Sequence, residues 1–570
     1  MKLEEIISAA RGDSPADLLL TNARIINVFS GEIVPGNIAV KGEYIIGTGT
    51  CRASETIDLG GRIVAPGFID AHVHIESSMM TVTEFARAVL ARGTTTVVAD
   101  PHEIANVLGS RGIEYMLASS EQQPMNIYFT LPSCVPATNM ETSGAVLTAD
   151  DLAAFIDHDR VLALAEMMNF PGVVQADPQV LRKISMARQA RKPVDGHAPG
   201  LTGPDLNAYI AAGISSDHEC TTPQDAKEKL AAGMHIMVRE GTGAKNLKSL
   251  LPLVNERTSR RMMWCTDDRH PHDLLAEGHI DYIVRRAIRK GLDPVTAVQM
   301  ATINPADYFG LKTAGAIAPG RKADLLVISD LADLRIDQVY CNGRLAAREG
   351  KIITDLQKPA AMPVPPSMNV SVGDIDFSIP AQGRHIRVID IIADQIITGE
   401  QILEARIEKD MALSDPGQDV LKIAVVDRHS GKGTTGKGFV RGLGLAKGAM
   451  ASSVAHDSHN IIVAGVSDTD MMAAFAAVVE MGGGLAAANA GSVRATLPLP
   501  VGGLMSDEPV RQVCHSLDRL LAAVREFGCA LKDPLMTLSF LALPVIPSLK
   551  ITDKGLVDVN KFSFVSLFVD

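Results

Sequence analysis

Eight apolar runs, separated by helical stretches, constrain the fold of this chain more than any other feature. Strands that alternate with helices form parallel sheets, and strands buried on both faces read as near-continuous apolar runs. Eight such units within about 245 residues match the size of a (β/α)8 barrel. We therefore predict an α/β fold with a TIM-type (β/α)8 barrel at residues 66–310. The runs occupy residues 69–74, 94–100, 125–131, 161–166, 193–197, 213–218, 234–239 and 261–267.

The segments on either side of this barrel predict three further parts of the chain. Short strands and glycine-rich turns fill residues 17–64 and return at 314–352. They indicate one discontinuous, β-sandwich-like small β-domain made of residues 1–65 and 311–357. A proline-rich stretch that begins at Lys358 predicts a linker over residues 358–380. Residues 381–570 are long enough for a core of their own, and we predict an additional C-terminal α/β domain there, with a helix near 508–527.

Side chains that bind metal ions stand at the ends of five of the eight runs. The first run ends in two histidines two positions apart, which point to the same side of a strand. In a barrel the C-terminal strand ends converge on one face, where catalytic groups collect. Four imidazoles and two carboxylates on that face suit two divalent ions, which could be zinc, iron or manganese. The six predicted ligands are His72, His74, Glu166, His197, His218 and Asp267.

A site with two metal ions predicts hydrolysis. Bound metals lower the pKa of water to near neutrality and so provide a nucleophile. Asp267, at the end of the eighth run, can both bind metal and accept the proton of that nucleophile. Asp268 follows directly, and because neighbouring residues point apart on a strand, only one of the two should face the metal. The position closer to the strand end favours Asp267.

Polar residues just past the first two predicted strands have two interpretations each. His102 and Glu103 follow the second run, where a barrel places active-site groups. Asp100 and Pro101 in front of them also suit an ordinary helix N-terminus. Ser77, in the loop after the first run, either lines the pocket or caps a helix.

Later in the chain, two further groups of polar residues leave their roles open. Arg239 and Glu240 end the seventh run and either contact the substrate or form a structural ion pair. His456 and His459 lie outside the barrel, in the sequence His-Asp-Ser-His. That segment is a second metal site, a lid over the barrel mouth, or a plain turn.

Composition excludes several classes of partner. The net charge of −12 argues against binding of nucleic acid, which requires a basic surface. The sequence contains no apolar run of about 18 residues, so we expect no membrane span. Seven scattered cysteines without a CxxC pair indicate reduced thiols and a cytoplasmic protein.

The motifs around these residues resemble the amidohydrolase superfamily. The resemblance covers about residues 17–355 and includes PGFIDAHVH at 66–74 and PGRKADLLV at 319–327. Hydantoinases and dihydroorotases of that superfamily bridge their metals with a lysine where this chain has Glu166. A narrower resemblance, to the adenine deaminases of bacteria, covers nearly the whole chain. It is carried by HVHIESSMM at 72–80, DPHEIANV at 100–107, ALAEMMNFPGV at 163–173, DGHAPGL at 195–201, SSDHE at 215–219, CTDDRHP at 265–271 and AHDSHNIIVAGV at 455–466.

This resemblance implies a reaction, a cofactor and a set of roles. The reaction converts adenine and water to hypoxanthine and ammonia in purine salvage. The implied cofactor is two divalent metal ions per chain, either manganese or iron, with zinc as a further alternative. A metal-bound hydroxide attacks C6 of adenine, and a ring nitrogen is protonated as it does so. A homodimer is expected from the family. The implied catalytic residues are Asp267, Glu166, His102 and Glu103, and the implied substrate contacts are Ser77, Arg239, Glu240 and Asp268.

Two other functions stay open at this stage. Another amidohydrolase, acting on a cyclic amide or an N-acetyl group, would use a similar site, because deacetylases of amino sugars also bridge their metals with a glutamate. A barrel that has lost its activity and serves as a scaffold is the second alternative. The complete set of predicted ligands disfavours the scaffold.

Overall fold

The computed structural model describes residues 2–356, 363–393 and 395–569. A short helix, α1 (Leu3–Arg11), opens the chain and is followed by five strands of a small sheet. Strands β1 and β2 form an antiparallel hairpin, whereas β1 runs parallel to β4 and β5. The five strands are β1 (Ala16–Asn27), β2 (Glu32–Lys41), β3 (Tyr44–Gly47), β4 (Ala53–Asp58) and β5 (Ile63–Pro66).

The next eight strands form the predicted barrel, in the predicted order. Five of them pair in parallel as one sheet and three as a second sheet. Parallel bridges join the sheets at both seams, between Val194 and Ile214 and between Val73 and Asp267, so the ring of eight is complete. The strands are β6 (Phe68–Val73), β7 (Thr94–Ala99), β8 (Asn126–Leu131), β9 (Val161–Met167), β10 (Val194–Gly196), β11 (Ser216–Asp217), β12 (His235–Arg239) and β13 (Met262–Cys265).

Helices surround the barrel, and side chains fill its interior. Along β7, Val98 packs inside the barrel with Ala163 and Met263, whereas its neighbours Val97 and Ala99 pack in the larger core that includes the helices. This alternation follows from the period of two along a strand. The helices are α2 (Val82–Leu90), α3 (His102–Leu108), α4 (Ser110–Ser120), α5 (Ala149–Ala153), α6 (Phe170–Val174), α7 (Pro178–Gln189), α8 (Gly203–Ala212), α9 (Pro223–Ala231), α10 (Leu247–Leu250), α11 (Pro271–Ala276), α12 (Ile280–Arg289), α13 (Pro294–Met300) and α14 (Ile303–Tyr308).

After the barrel the chain returns to the small sheet. Strand β14 pairs antiparallel with β5, which brings the two ends of the barrel segment together. All nine strands belong to one hydrogen-bonded sheet. The returning strands are β14 (Leu325–Asp330), β15 (Arg335–Cys341), β16 (Arg344–Arg348) and β17 (Lys351–Ile352).

The C-terminal part is built around an eight-stranded, mostly antiparallel sheet with helices on both faces. Along the central strand β22, Ala424 and Val426 pack with helix α15, and Ile423 and Val425 face the core that includes α16 and α17. Helix α16 confirms the helix predicted near 508–527. The elements are β18 (His385–Ile391), β19 (Thr398–Glu404), β20 (Arg406–Glu408), β21 (Met411–Leu413), β22 (Val420–Val426), β23 (Thr435–Arg441), β24 (Ala449–Ser452), β25 (Ile461–Gly465), α15 (Asp468–Glu480), β26 (Gly484–Asn489), β27 (Ser492–Pro498), α16 (Val510–Glu526), α17 (Pro534–Phe540), β28 (Leu549–Thr552), β29 (Gly555–Asp558) and β30 (Ser563–Val565).

The C-terminal part lies against loops at the C-terminal end of the barrel strands. Ser506 donates its backbone N–H to the Met79 carbonyl, in the loop after β6, at 2.9 Å. In the loop after β8, the Thr142 hydroxyl donates to Asp553 at 2.6 Å, and Thr552 donates to the Met140 carbonyl at 2.7 Å. These contacts place the C-terminal part over the barrel mouth.

The fold class predicted from the sequence is confirmed, whereas the domain limits stay predictions. We propose the limits given above as the domain boundaries. Residues 358–362 of the predicted linker lie outside the described residues, and residues 372–374 further along it form a short 3-10 turn. Within the described part of the chain, no helix combines the length and apolar character needed to cross a membrane.

Candidate active site

The predicted histidine pair converges at the end of the first barrel strand. His72 lies within β6 and His74 just past its end, and both side chains are buried. Their Nε2 atoms are 3.1 Å apart. The His74 Nδ1 lies 3.1 Å from the Asp100 carbonyl oxygen. That contact places the proton of a neutral ring on Nδ1 and leaves the Nε2 lone pair free for a metal ion.

Glu166 stands at the centre of the predicted ligands, and its two oxygens face different histidine pairs. Its Oε1 lies 3.3 Å from the His74 Nε2 and 3.7 Å from the His72 Nε2. Its Oε2 lies 2.6 Å from the His197 Nδ1 and 3.3 Å from the His218 Nε2. A carboxylate placed in this way can give one oxygen to each of two metal ions, which is the arrangement of a bridging ligand.

Asp267 completes the half of the site around the first histidine pair. Its Oδ1 lies 3.1 Å from the His74 Nε2 and 3.5 Å from the His72 Nε2. Its φ of 57° falls in the left-handed region, which residues other than glycine adopt mainly at turns and functional sites. Its Oδ2 accepts a hydrogen bond from the Arg239 guanidinium at 2.6 Å. The same guanidinium also donates to both oxygens of Glu219.

The chemistry of these atoms fits divalent metal ions. Imidazole nitrogens and carboxylate oxygens face one another across short distances, and each has a lone pair to give. Burial would raise the pKa of Glu166, but the imidazoles of His197 and His218 outweigh burial and hold that pKa well below its ordinary value. Burial likewise opposes ionisation of Asp267, and the Arg239 guanidinium overcomes it and lowers the pKa. Both carboxylates are therefore ionised at neutral pH, as metal ligands must be.

His102 and Glu103 occupy the first turn of α3, at the edge of the same cavity. The His102 Nδ1 lies 3.0 Å from the Asp100 Oδ2, which orients the ring. Burial would lower the pKa of His102, but the carboxylates of Asp100 and Glu103 outweigh it and raise the pKa. Glu103 is held from the other side by His456, whose Nδ1 lies 2.7 Å from its Oε1, and by the Nε2 of His459.

The cavity over the predicted ligands has walls from both ends of the chain. One side consists of the strand-end residues of the barrel, together with Asp268 and Glu219. The opposite side comes from the C-terminal part and is mainly apolar. The C-terminal residues that line it are Ile396, His456, Asp457, Phe540, Leu543 and Ile546.

The structure brings most of the predicted site residues to this cavity, but it places two of them elsewhere. Ser77 does not line the cavity and instead donates to the Asp268 Oδ1 at 2.5 Å. Glu240 accepts the Leu247 backbone N–H at 3.0 Å and also pairs with the Arg286 guanidinium. Both carboxylate oxygens of Glu240 are thus used outside the cavity, which favours the structural ion pair among its two predicted roles.

Sequence reasoning missed the apolar wall of the cavity. Phe540, Leu543 and Ile546 lie in a helix and loop more than 270 residues after Asp267, and nothing in their local pattern separates them from core residues. Of the three alternatives for the segment from His456 to His459, its position at the barrel mouth favours the lid, because His456 lines the cavity and contacts Glu103 of the barrel.

Comparisons with known proteins show the family of the chain. Residues 63–346 match the amidohydrolase family, and residues 395–563 match the adenine deaminase C-terminal domain. A protein of Desulfatibacillum aliphaticivorans named adenine deaminase is 56% identical over 565 residues, which cover 99% of each chain. An adenine deaminase of Kosmotoga olearia is 49% identical, covering 100% of this chain and 99% of its own. Adenine deaminase 2 of Carboxydothermus hydrogenoformans is 48% identical over 99% of each chain.

Proposed function

Because the chain belongs to the adenine deaminase family of the amidohydrolases, we propose that it adds water to C6 of adenine and releases hypoxanthine and ammonia. The observation that supports this most directly is the position of Glu166 between two histidine pairs, one facing each oxygen. Such a donor set suits two divalent ions, and we propose manganese or iron, with zinc also compatible.

Each ion would be held by one half of the site. His72, His74 and Asp267 would hold one ion together with the Glu166 Oε1. His197 and His218 would hold the other together with the Glu166 Oε2. Bound there, the metals would lower the pKa of a water and so supply the nucleophile.

We propose that Asp267 accepts the proton of that water. Its Oδ2 is engaged by Arg239, so Oδ1 is the oxygen that remains available beside the histidines. The Arg239 guanidinium keeps Asp267 ionised, which a proton acceptor requires. The protonated carboxyl can then give the proton to the departing amine.

We propose that His102, rather than Glu103, protonates a ring nitrogen of adenine. Both oxygens of Glu103 are engaged by His456 and His459. The His102 ring lines the cavity, with Nδ1 fixed by Asp100 and Nε2 at 3.5 Å from the nearer Glu103 oxygen. The pKa of His102 is raised, so the ring carries a proton to donate.

The decisive experiment is an adenine assay on the full chain loaded separately with manganese, iron and zinc. We expect ammonia release with at least one metal and a shift of the ultraviolet spectrum to that of hypoxanthine. A product with a new carboxylate would instead indicate amide hydrolysis. No ammonia with any of the three metals would overturn the proposed function.

We further propose that the protein acts in purine salvage in the cytoplasm and forms a homodimer. All seven cysteines are free thiols, and six of them are buried, which supports a reducing compartment. Light scattering at micromolar concentration tests the homodimer, and a monomeric mass would contradict it. Growth of cells that depend on adenine as their purine source tests the salvage role.

A further inference from the structure

The loop between β24 and β25 carries a second buried cluster, formed with Glu103 of the barrel. His456 and His459 lie in this loop and flank the Glu103 carboxylate, one on each oxygen. All three side chains are buried, and their ligating atoms are close enough together to hold a metal ion. Whether they act as metal ligands or as hydrogen-bonding groups depends on where the protons lie.

The contacts of His459 identify this cluster as hydrogen-bonded. Its Nδ1 accepts the backbone N–H of Ala455 at 3.2 Å, so the proton of the neutral ring lies on Nε2. That Nε2–H donates to the Glu103 Oε2. A histidine that binds metal through Nε2 normally carries its proton on Nδ1 and donates it to a neighbour. His459 has the opposite arrangement and therefore fixes Glu103 rather than an ion.

Glu103 in turn fixes His456. The His456 Nδ1 lies 2.7 Å from the Glu103 Oε1, and the ring stacks on Phe540 with a centroid distance of 4.6 Å and an interplanar angle of 17°. The residue is only 4% exposed and lines the cavity over the predicted metal ligands. Among the described residues, no group pairs with its Nε2. The ring is thus held on one edge and one face, with one polar atom left for a ligand.

The positive charge of the His456 ring makes its Nε2 a hydrogen-bond donor. Burial would lower the pKa of His456, but the Glu103 carboxylate outweighs burial and raises the pKa to about 9. The ring is then protonated at both nitrogens at neutral pH. A protonated imidazole in a largely apolar wall matches an uncharged aromatic ligand that offers nitrogen lone pairs in its plane.

We propose that His456 is a base-recognition residue, which donates a hydrogen bond from Nε2 to one ring nitrogen of adenine. This inference rests on the proposed function, because it takes the purine base as the ligand of the cavity. Phe540 and Glu103 are positioning residues in this arrangement, and His459 acts through Glu103. The C-terminal part thereby contributes to substrate recognition as well as closing the barrel mouth.

Two substitutions test the roles of Nδ1 and Nε2 of His456 separately. The amide of asparagine stands where Nδ1 does, so His456→Asn keeps a donor to Glu103 and removes Nε2. The longer side chain in His456→Gln places its amide near the position of Nε2. Metal content and thermal unfolding of both variants verify that each is folded and loaded.

The test is a calorimetric titration of metal-loaded wild type and variants with 1-deaza-, 3-deaza- and 7-deazaadenine, each of which lacks one ring nitrogen. Two of the analogues keep the nitrogen that His456 contacts, and we expect His456→Asn to bind these two about tenfold more weakly than the wild type does. The third analogue lacks that nitrogen, so we expect His456→Asn and the wild type to bind it equally. We expect His456→Gln to bind all three within about threefold of the wild type.

Equal weakening of all three analogues in both variants, or no weakening of any, would overturn the inference. If His456→Asn does not fold, His456→Ala, which also lacks a group at the Nε2 position, is titrated in its place with the same expected selectivity. Because titration needs no turnover, it is independent of the adenine assay. Wild type that releases ammonia while the variants show no selective weakening overturns only the role of His456, whereas absent ammonia release contradicts the proposed function.

Discussion

The barrel side and the C-terminal side of the cavity stabilise buried charged groups in different ways. On the barrel side, carboxylates and imidazoles face each other at short distances, and Arg239 balances Asp267 and Glu219. On the C-terminal side, apolar residues form the wall, and the buried basic side chains behind it, Arg428 and Lys550, donate mainly to backbone carbonyls.

This difference indicates that the two sides of the cavity have different roles. Carboxylates and imidazoles that face one another at rigid strand ends bind metal ions strongly and have shifted pKa values, both of which catalysis requires. Basic side chains that donate to carbonyls fix the shape of the wall, because each amino group or guanidinium joins two or more loop segments. We therefore expect substitutions of the predicted metal ligands on the barrel side to abolish the reaction, and substitutions on the C-terminal side to change recognition and stability.

The largest effect is expected from Asp267→Asn. The amide cannot accept a proton, and it leaves Arg239 without one of its two partners. We expect kcat for ammonia release to fall by about 10³-fold or more, with unchanged circular dichroism. The matched control is Asp268→Asn, for which we expect a loss of less than about tenfold. Near-normal turnover by Asp267→Asn would contradict its role.

Replacement of Lys550 on the C-terminal side should change the pH dependence of stability. Its Nζ donates to the carbonyls of Ile396 and Phe540 at 2.8 and 3.0 Å, and burial lowers its pKa from 10.5 to about 7. Between these two values the unfolded chain binds a proton that the folded chain does not. The free energy of unfolding of the wild type therefore rises with pH in this window, by up to about 1.4 kcal/mol per unit from this group.

Lys550→Met removes this contribution while keeping much of the volume of the side chain. Urea unfolding of wild type and variant at pH 7, 8 and 9 measures it, because other titrating groups cancel in the difference. We expect the wild type to gain stability relative to Lys550→Met across the series. Parallel curves for the two proteins would show that Lys550 stays protonated throughout.

The comparison also shows which parts of the molecule the sequence could predict. The eight strands were predictable because buried parallel strands have a local signature, and the ligands were predictable because they stand at strand ends. The position of Glu240 at a strand end left both a substrate contact and an ion pair open, because its partner, Arg286, lies on α12, 46 residues further along the chain. The contact of His459 with Glu103 joins residues 356 positions apart, and no local periodicity reports such a pairing.

The next prediction tests whether the C-terminal cluster binds metal. In His459→Asn, the shorter side chain can still accept the Ala455 N–H but no longer reaches Glu103. We expect kcat/KM to fall by about tenfold, since Glu103 loses one of its two histidine contacts, while metal content equals that of the wild type. The matched variant on the barrel side, His218→Asn, should lose about one ion per chain. Loss of metal from His459→Asn, measured by elemental analysis, would instead place an ion at Glu103.

The smallest effect is expected from Ser77→Ala, which tests the boundary of the barrel side. Ser77 donates to Asp268 at 2.5 Å and does not line the cavity, so its removal frees one carboxylate oxygen without touching the base. The loss of this hydrogen bond from a neutral hydroxyl to a charged carboxylate should lower kcat/KM by about fivefold or less, mainly through a lower kcat. Ser78→Ala is the control, since Ser78 donates only to the Ile75 carbonyl, at 2.5 Å, and should change neither constant. A rise of KM by about 100-fold in Ser77→Ala alone would mean that the hydroxyl contacts adenine directly, as the sequence first predicted.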